Sequence, residues 1–293
     1  MKPDISIIGA GVVGTALAVL AARAEYRITA IASRRESSAR KAATLIGQGR
    51  VCTAAEAARA GRLLLLTVND DAIAPLAAEL AEAEAVRPGT MVVHCSGALA
   101  SDVLAPLANR CGALTASMHP LQTFPTVQAA IDSLPGCYFF CEGHGPAVSA
   151  AMQLAGDIGG VPVEIEPDRK TLYHAAACMA CNYLATLQEA AISAAALAGI
   201  GTLPARKALA PLVAATVNNV MNLGPGPALT GPIARGDVQT VQRHLAALDA
   251  TDPDLAEVYR QLGRRTVQLA RKAGKIDRRA EEQLMKALEE RQA

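Results

Sequence analysis

A glycine-rich turn follows directly on the first apolar run of the chain, and it restricts the fold more than any other feature. Ile5 to Ile8 lead into Gly9-Ala10-Gly11-Val12-Val13-Gly14, which has the spacing of a dinucleotide-binding fingerprint. There the first glycine permits a tight turn, the second lets the backbone approach a pyrophosphate, and the third lets the helix pack closely on the strand. The helix N-terminus that follows attracts phosphates. We therefore expect Gly9 to Gly14 to bind a dinucleotide; the alternative is a purely structural turn.

The residues after the second apolar run, Arg27 to Ala32, indicate which dinucleotide binds. NAD-binding proteins carry Asp or Glu there for the ribose 2′-hydroxyl, whereas this chain has Ser33, Arg34 and Arg35. A 2′-phosphate is bound by hydroxyls and by the charge-assisted, often bidentate bonds of guanidinium groups. We therefore expect NADP(H) as the cofactor; a solvated basic loop is the alternative.

The spacing of apolar runs predicts the fold class. Short runs typical of buried parallel strands alternate with helical stretches up to residue 165, and only helical patterns follow. This predicts an α/β protein, with an N-terminal Rossmann doubly wound parallel sheet followed by an all-α C-terminal domain. We expect an NADP-binding domain over residues 1–166 and a helical substrate and dimerisation domain over 167–293. The latter is expected to open with one long helix, Asp168 to Ala198.

Another strand, Leu63 to Val68, ends at Asn69 and Asp70. In a Rossmann sheet this position lies near the switch point, where the nicotinamide half of the cofactor crosses. Asn69 and Asp70 are therefore candidate cofactor ligands. They are equally good candidates for capping the next helix.

Two histidines are candidate proton donors. Ser96 and His119 follow two predicted strands, and hydride transfer to a carbonyl needs a proton donor whose pKa suits neutral pH. His174 and Asn182 are eight residues apart on the predicted long helix and so share one face. We expect His119, narrowly ahead of His174, to donate the proton, and Ser96 and Asn182 to orient the substrate. The alternative is that these histidines are structural.

Two further groups are weaker candidates. Cys178 and Cys181 have the spacing of half a zinc site without a second half, so we expect no metal. Thr230 and Arg235 lie in a Gly/Pro-rich connection that could bind a substrate anion. It could equally be an interhelical turn in which Asp237 caps the next helix.

Charge and hydropathy exclude several partner classes. With 28 Lys+Arg against 27 Asp+Glu, net charge +1 and no basic stripe, we expect no nucleic-acid partner. The apolar stretch from Thr171 to Gln188 carries too many polar side chains for a membrane span. Seven scattered cysteines favour reduced packing residues and a soluble cytoplasmic protein. Because the long helix is apolar around most of its girth, we expect a homodimer formed through the helical domain.

With these motifs assembled, the chain resembles the 6-phosphogluconate-dehydrogenase-like superfamily of two-domain NADP reductases. The segments 117–124, 173–182 and 228–237 resemble a branch of provisionally named NADP oxidoreductases, some of them similar to an alternative ketopantoate reductase. The resemblance implies NADP(H)-dependent reduction of a small carbonyl, such as a 2-oxo acid to a 2-hydroxy acid. Reduction of an imine, as in pyrroline-5-carboxylate reductase, and a non-catalytic NADP sensor are the alternatives.

Two local resemblances imply roles for particular residues. Ser96 and His119-Pro120 look like the serine and His-Pro with which prephenate dehydrogenases hold the reacting hydroxyl. His174 lies near the place where hydroxyacid dehydrogenases of the superfamily carry a catalytic lysine. Here Lys170 precedes His174 by four residues and Asn182 follows it by eight, so the lysine pattern is not reproduced.

Overall fold

The computed structural model describes residues 2–289, which form eight strands and fourteen α-helices. The strands are β1 (Ile5–Ile8), β2 (Ile28–Ala32), β3 (Arg50–Val51), β4 (Leu63–Leu66), β5 (Met91–His94), β6 (Leu114–Pro120), β7 (Tyr138–Gly143) and β8 (Val161–Glu164). The helices up to the last strand are α1 (Val12–Arg23), α2 (Glu36–Ile46), α3 (Ala54–Ala60), α4 (Asp70–Glu82), α5 (Ala105–Cys111), α6 (Val127–Ser133) and α7 (Gly145–Asp157). The helices after it are α8 (Lys170–Ala180), α9 (Asn182–Leu197), α10 (Thr202–Leu223), α11 (Pro225–Ala228), α12 (Val238–Asp249), α13 (Pro253–Lys272) and α14 (Arg278–Glu289).

All eight strands belong to one sheet in the order β3-β2-β1-β4-β5-β6-β7-β8. Every neighbouring pair is parallel except β6 and β7, which run antiparallel. The strand order reverses between β1 and β4, which is the switch point of a doubly wound sheet. The expected fold class, an α/β Rossmann sheet followed by helices, is confirmed.

The central strands are buried on both faces because helices cover both sides of the sheet. The four leucines of β4 are fully buried, and their side chains point alternately to the two faces. Leu63 and Leu65 belong to one apolar core with α1 and α7, whereas Leu64 and Leu66 belong to another with α3 and α4. This explains why the strand reads as an unbroken apolar run.

The chain divides into two compact units, the first ending at Ala180 and the second beginning at Cys181. The second unit contains α9 to α14 and has its own core around Val241, Val267 and Leu284. The expected domain boundary at residue 166 stays a prediction. The single helix expected from Asp168 to Ala198 is wrong: a short 3-10 turn precedes α8, and the helix is interrupted at Cys181, where φ is −114° and ψ is −68°. Within residues 2–289 no helix is long and apolar enough to cross a membrane.

Candidate cofactor and catalytic site

The glycine turn between β1 and α1 is held by a contact from β4. Gly9 has a φ of +118°, and the Thr67 hydroxyl donates to its carbonyl oxygen at 2.6 Å. A Cβ on Gly14 would overlap that same carbonyl and the Thr67 side chain. Gly9 and Gly14 are therefore required by the fold itself, because only glycine lets the strand, turn and helix approach so closely.

Gly11 is different, because nothing within the protein requires a glycine there. It precedes α1, adopts an extended conformation open to other residues, and a Cβ built on it would meet no atom within 4 Å. No side chain caps the N-terminus of α1, which begins with Val12 and Val13. A bare backbone and uncapped N–H groups facing open space fit the pyrophosphate of a dinucleotide. Ala10 and Gly11 would lie against it.

The end of β2 fits a 2′-phosphate. Ser33 is half-buried, and Arg34 and Arg35 are exposed directly after the strand. Neither arginine forms an ion pair with a carboxylate of the described chain, whereas nearby Arg40 pairs with Glu36. Arg34 and Arg35 are thus free to bind a phosphate through their guanidinium groups.

Asn69 occupies the N-cap position of α4, but its side chain accepts no capping hydrogen bond. Asp70 lies in the first turn of α4 and is exposed. The structure therefore does not support the capping alternative for the Asn69 side chain. Both residues stand at the carboxyl edge of the sheet beside the switch point, where they were expected to meet the cofactor.

His94 and Ser96 build the turn after β5. The Nδ1 atom of buried His94 accepts from the Ser96 backbone N–H at 3.2 Å, and its Nε2–H donates to the Ala100 carbonyl at 3.2 Å. The Ser96 Oγ accepts from the backbone N–H groups of Ala98 and Leu99 at 3.1 and 3.0 Å. His94 is thus a structural histidine. Ser96 keeps its hydroxyl hydrogen for a ligand, because both of these bonds use the oxygen as acceptor.

The two candidate histidines lie against one glycine. His119 is on β6 and His174 is on α8, and their ring centroids are 5.9 Å apart. A Cβ on Gly97 would lie 2.7 Å from His119 Nε2 and 2.6 Å from His174 Nδ1. Gly97 therefore packs closely against both imidazoles, and any larger residue there would clash with their nitrogens. The sequence predicted the two histidines on separate elements, but it gave no sign that Gly97 contacts both of them.

Each histidine has a second contact on its far side. The His119 Nδ1 lies 2.8 Å from the Tyr173 hydroxyl, and the His174 Nε2 lies 3.6 Å from the Cys178 Sγ. His174 Nδ1 is buried and has no hydrogen-bond partner among the described residues. Burial, then the positive charge of Lys170, and then His174 lower the pKa of His119 to about 4. His119 is therefore a neutral imidazole at pH 7.

A buried ion pair lies beneath this site. The ammonium of Lys170, at the start of α8, is 3.2 Å from Glu142 Oε1 on β7, and both side chains are fully enclosed. Lys170 also donates to the Ser117 hydroxyl, which in turn donates to Glu142. The Ser101 hydroxyl and backbone N–H donate to the same carboxylate at 2.8 and 2.9 Å. The pair links α8 to strands β6 and β7 and so fixes His174 relative to His119.

Glu142 was not among the site residues predicted from the sequence. Burial alone would raise its pKa, but the hydrogen bonds from Ser117 and Ser101 and the charge of Lys170 outweigh burial, so its pKa lies below the usual value. The only signal in the sequence was a carboxylate inside an otherwise apolar strand. Its partner is 28 residues away and on another element.

Removing one member of this pair is expected to be strongly destabilising. Glu142→Gln leaves the buried Lys170 amine without its carboxylate, which should lower the free energy of unfolding by about 3–5 kcal/mol. Because the folded state lowers the pKa of Glu142, its contribution exists above the unfolded-state pKa and is lost as the pH falls through the folded value. Urea unfolding at several pH values measures both effects.

The control is Arg278→Ala, which breaks the exposed pair with Glu282 and should change stability little. Equal losses in the two variants would contradict the role of the buried pair.

The remaining predicted residues belong to the second unit. Asn182 is exposed at the start of α9, just after the interruption at Cys181. Asp237 caps α12 by accepting from the Thr240 N–H at 3.0 Å, which supports the turn interpretation of this connection. Arg235 is exposed in a 3-10 turn. The roles of Asn182, Thr230 and Arg235 stay predictions.

The second unit also contains an apolar cavity of about 350 Å³ between α9, α12 and α13. Thr230 lines it together with Leu187, Tyr259 and Thr266, and the remaining lining is mainly aliphatic. Across residues 2–289 no three His, Cys, Asp or Glu side chains are grouped so that they could hold a metal ion. All seven cysteines are free thiols.

Two family models match the chain. Residues 2–120 match the model of a Rossmann-like domain, and residues 137–266 match that of a domain of unknown function, DUF2520. A comparison with the curated proteins finds no match. The first match covers β1 to β6, and the second begins at β7, so it includes the last two strands of the sheet as well as the helices up to α13.

Solved structures share this fold over nearly the whole chain. The "putative NADP oxidoreductase BF3122" of Bacteroides fragilis is 25% identical with a TM-score of 0.72, covering 91% of this chain and 98% of that one. Protein TM1727 of Thermotoga maritima is 23% identical with a TM-score of 0.72, covering 92% and 97%. A reductive aminase of Aspergillus terreus, in complex with NADPH and ethyl-5-oxohexanoate, is 16% identical with a TM-score of 0.62, covering 99% and 93%. All three share the overall fold of this chain.

Proposed function

We propose that this chain, which joins a Rossmann-like domain to a DUF2520 domain, is an NADP(H)-dependent oxidoreductase that reduces a small carbonyl compound. The substrate class we propose is a 2-oxo acid, reduced to the 2-hydroxy acid. The observation that carries this proposal is the pairing of His119 and His174, whose imidazoles both lie against Gly97 at the carboxyl edge of a dinucleotide-binding sheet.

We assign the binding of the cofactor to residues of the first unit. Gly11 and the N-terminus of α1 would bind the pyrophosphate, and Ser33, Arg34 and Arg35 would bind the 2′-phosphate. Asn69 and Asp70 would face the nicotinamide half. Bound NADPH supplies a hydride to the carbonyl carbon.

The protein must supply a proton to the carbonyl oxygen at the same time. A ketone that accepts a hydride becomes an alkoxide, and a positioned acid lowers the barrier to this step. We propose that His119 and His174 hold that oxygen, and the hydroxyl of Ser96 can donate to the substrate from the neighbouring turn. In the second unit we propose that Asn182 orients the substrate and that Thr230 and Arg235 bind its carboxylate.

Two other functions make different demands on these residues. A non-catalytic NADP sensor has no use for two neighbouring histidines at the carboxyl edge of the sheet. An imine reductase can receive its substrate already protonated and so does not require a proton donor. The paired histidines therefore favour a carbonyl substrate over both alternatives.

The function is tested by following NADPH oxidation with a panel of 2-oxo acids, aldehydes, simple ketones and cyclic imines. We expect turnover with one or more 2-oxo acids and little or none with imines. Turnover with imines alone would establish the imine-reductase alternative. Tight NADPH binding without oxidation by any member of the panel would favour the sensor.

We further propose that the protein is a homodimer. Helices α9 and α10 span 16 and 22 residues, yet only Ala205 among them is buried. Large apolar side chains are exposed along α10, including Leu212 and Met221 at 62% and 76%. An apolar surface of this extent is typical of an interface, and two-fold association is the commonest way to cover it. The free cysteines agree with a reducing compartment, and we propose a cytoplasmic location.

Light scattering at micromolar concentration is expected to give twice the 30.2 kDa chain mass. Leu212→Glu combined with Met221→Glu should convert the dimer to monomers, because it places charges in the apolar interface. Leu45→Glu is the control, since Leu45 is an exposed leucine of α2 in the other unit. A monomeric wild-type protein would contradict the dimer.

A further inference from the structure

Tyr173 is held so that its hydroxyl meets His119. Its ring packs on Phe140 with centroids 4.3 Å apart and meets the His119 ring edge-on at 5.8 Å. Burial raises the pKa of the Tyr173 phenol above its usual value, so the phenol keeps its proton. Among the described residues the hydroxyl has one hydrogen-bond partner, His119 Nδ1 at 2.8 Å. A phenol that keeps its proton can donate it to that nitrogen, which then accepts the hydrogen bond.

This bond fixes the tautomer of His119. A neutral imidazole carries one hydrogen, and a ring whose Nδ1 accepts must carry it on Nε2. The Nε2–H, which lies close to Gly97, is then a hydrogen-bond donor. His174 Nδ1 lies against the same glycine, and it is buried and unpaired in the part of the chain that the structure describes. A buried polar atom without a partner is unfavourable unless a ligand supplies one.

We propose that Tyr173 is a positioning residue that fixes His119 as the Nε2–H tautomer, and that His119 and His174 bind one substrate oxygen in different roles. His119 donates a hydrogen bond to the oxygen and keeps its proton. His174 exchanges the proton with that oxygen through Nδ1. The inference rests on the proposed function for its substrate, but the tautomer of His119 is a property of the protein alone.

The proton balance of this arrangement is simple. As the carbonyl carbon takes up a hydride, the π electron pair of the C=O bond moves to the oxygen. The oxygen takes the proton from His174 Nδ1, and the imidazolium becomes a neutral imidazole whose Nε2–H faces Cys178 Sγ. The product hydroxyl accepts from His119 and donates to the neutral Nδ1 of His174 until the product leaves. A proton from water then restores the imidazolium.

The same arrangement determines the substrate class. The reacting atom must have a lone pair to accept the Nε2–H of His119. A carbonyl oxygen has two lone pairs, whereas a protonated imine nitrogen has none. The fixed tautomer therefore selects an oxygen substrate and disfavours an iminium ion.

The tautomer can be tested on the whole protein without any substrate. In long-range 1H–15N correlation spectra of histidine-labelled protein, we expect His119 to show a protonated Nε2 and an unprotonated Nδ1 from pH 6 to 8. The five histidines are assigned by replacing each one in turn. In Tyr173→Phe the ring still packs on Phe140, but the His119 signals should shift towards a mixture of both tautomers.

The chain offers a matched control in its second unit. Tyr259 and His244 make the same kind of contact, with the Tyr259 hydroxyl 2.9 Å from His244 Nδ1. Tyr259→Phe should change the signals of His244 and leave those of His119 unchanged. A protonated Nδ1 on His119 in the wild type, a doubly protonated ring at pH 7, or signals unaffected by Tyr173→Phe would overturn the inference. If the tautomer is as expected but no carbonyl compound is reduced, the proposed function fails and the role of Tyr173 towards His119 stands.

Discussion

Alanine at His174 is expected to lower kcat by about 100- to 10,000-fold, the usual contribution of general acid catalysis. Its Nδ1 is the unpaired buried atom beside Gly97, so its removal leaves the developing alkoxide without a proton. NADPH affinity should stay unchanged, because His174 is not among the residues proposed to bind the cofactor. The measurement is kcat at saturating NADPH with a substrate from the panel, together with Kd for NADPH. His144→Ala, at an exposed histidine that precedes α7, is the control and should retain full activity.

Glutamine variants separate the roles of the two histidines. His119 is proposed to act as a neutral donor, and the N–H of a glutamine amide can replace such a donor in part. His174 is proposed to transfer a proton, which an amide cannot do. We therefore expect His119→Gln to retain clearly more kcat than His174→Gln. The reverse order would make His119 the proton donor, as expected by a narrow margin from the sequence.

Replacing Arg34 and Arg35 together with alanine is expected to weaken NADPH binding and to leave NADH binding nearly unchanged. Each charge-assisted bond to the 2′-phosphate is worth roughly 1.5–3 kcal/mol, or about 10- to 100-fold in Kd. Both side chains are exposed and free of ion pairs within the described chain, so their loss should not disturb the fold. Fluorescence titration with each cofactor measures the difference.

Two controls identify which phosphate is affected. The Arg278→Ala/Arg279→Ala variant removes the same charge from α14 and should leave both affinities intact, so the effect of Arg34 and Arg35 is not one of net charge alone. Gly11→Ala adds a methyl group where the pyrophosphate is expected and should weaken NADPH and NADH equally without lowering the Tm. Equal losses of NADPH and NADH affinity in the Arg34/Arg35 variant would contradict the assignment of the 2′-phosphate site.

The fold was largely predictable because its signals are local. A parallel sheet covered on both faces requires strands that are apolar throughout, and Leu63 to Leu66 is such a strand. The turn at Gly9 likewise requires a positive φ, which only a few residue types tolerate. Each of these constraints leaves its mark within a few residues of sequence.

The break between α8 and α9 left no such mark. Between Asp168 and Ala198 the sequence contains neither glycine nor proline, so helix propensity alone predicts one continuous helix. The interruption at Cys181 coincides with the boundary between the two compact units. No local feature of the sequence explains it.

The candidate site was predictable only in part, because its contacts are between distant residues. His119 and His174 could be singled out by their chemistry, but Gly97, which packs against both of them, lies in the turn after β5. The contact of Tyr173 with His119 spans 54 residues, and that of Lys170 with Glu142 spans 28. A single sequence carries no signal for such pairs until the sheet order is known.

Transfer of deuterium is the most direct test of the proposed function. The protein is incubated with NADPH deuterated at C4 of the nicotinamide and with the 2-oxo acid that the panel identifies, and the product is analysed by mass spectrometry. We expect the wild type to form a 2-hydroxy acid that carries the deuterium at C2, and His174→Ala to form far less of it. A product without deuterium at C2, or equal formation by the wild type and His174→Ala, would contradict this proposal.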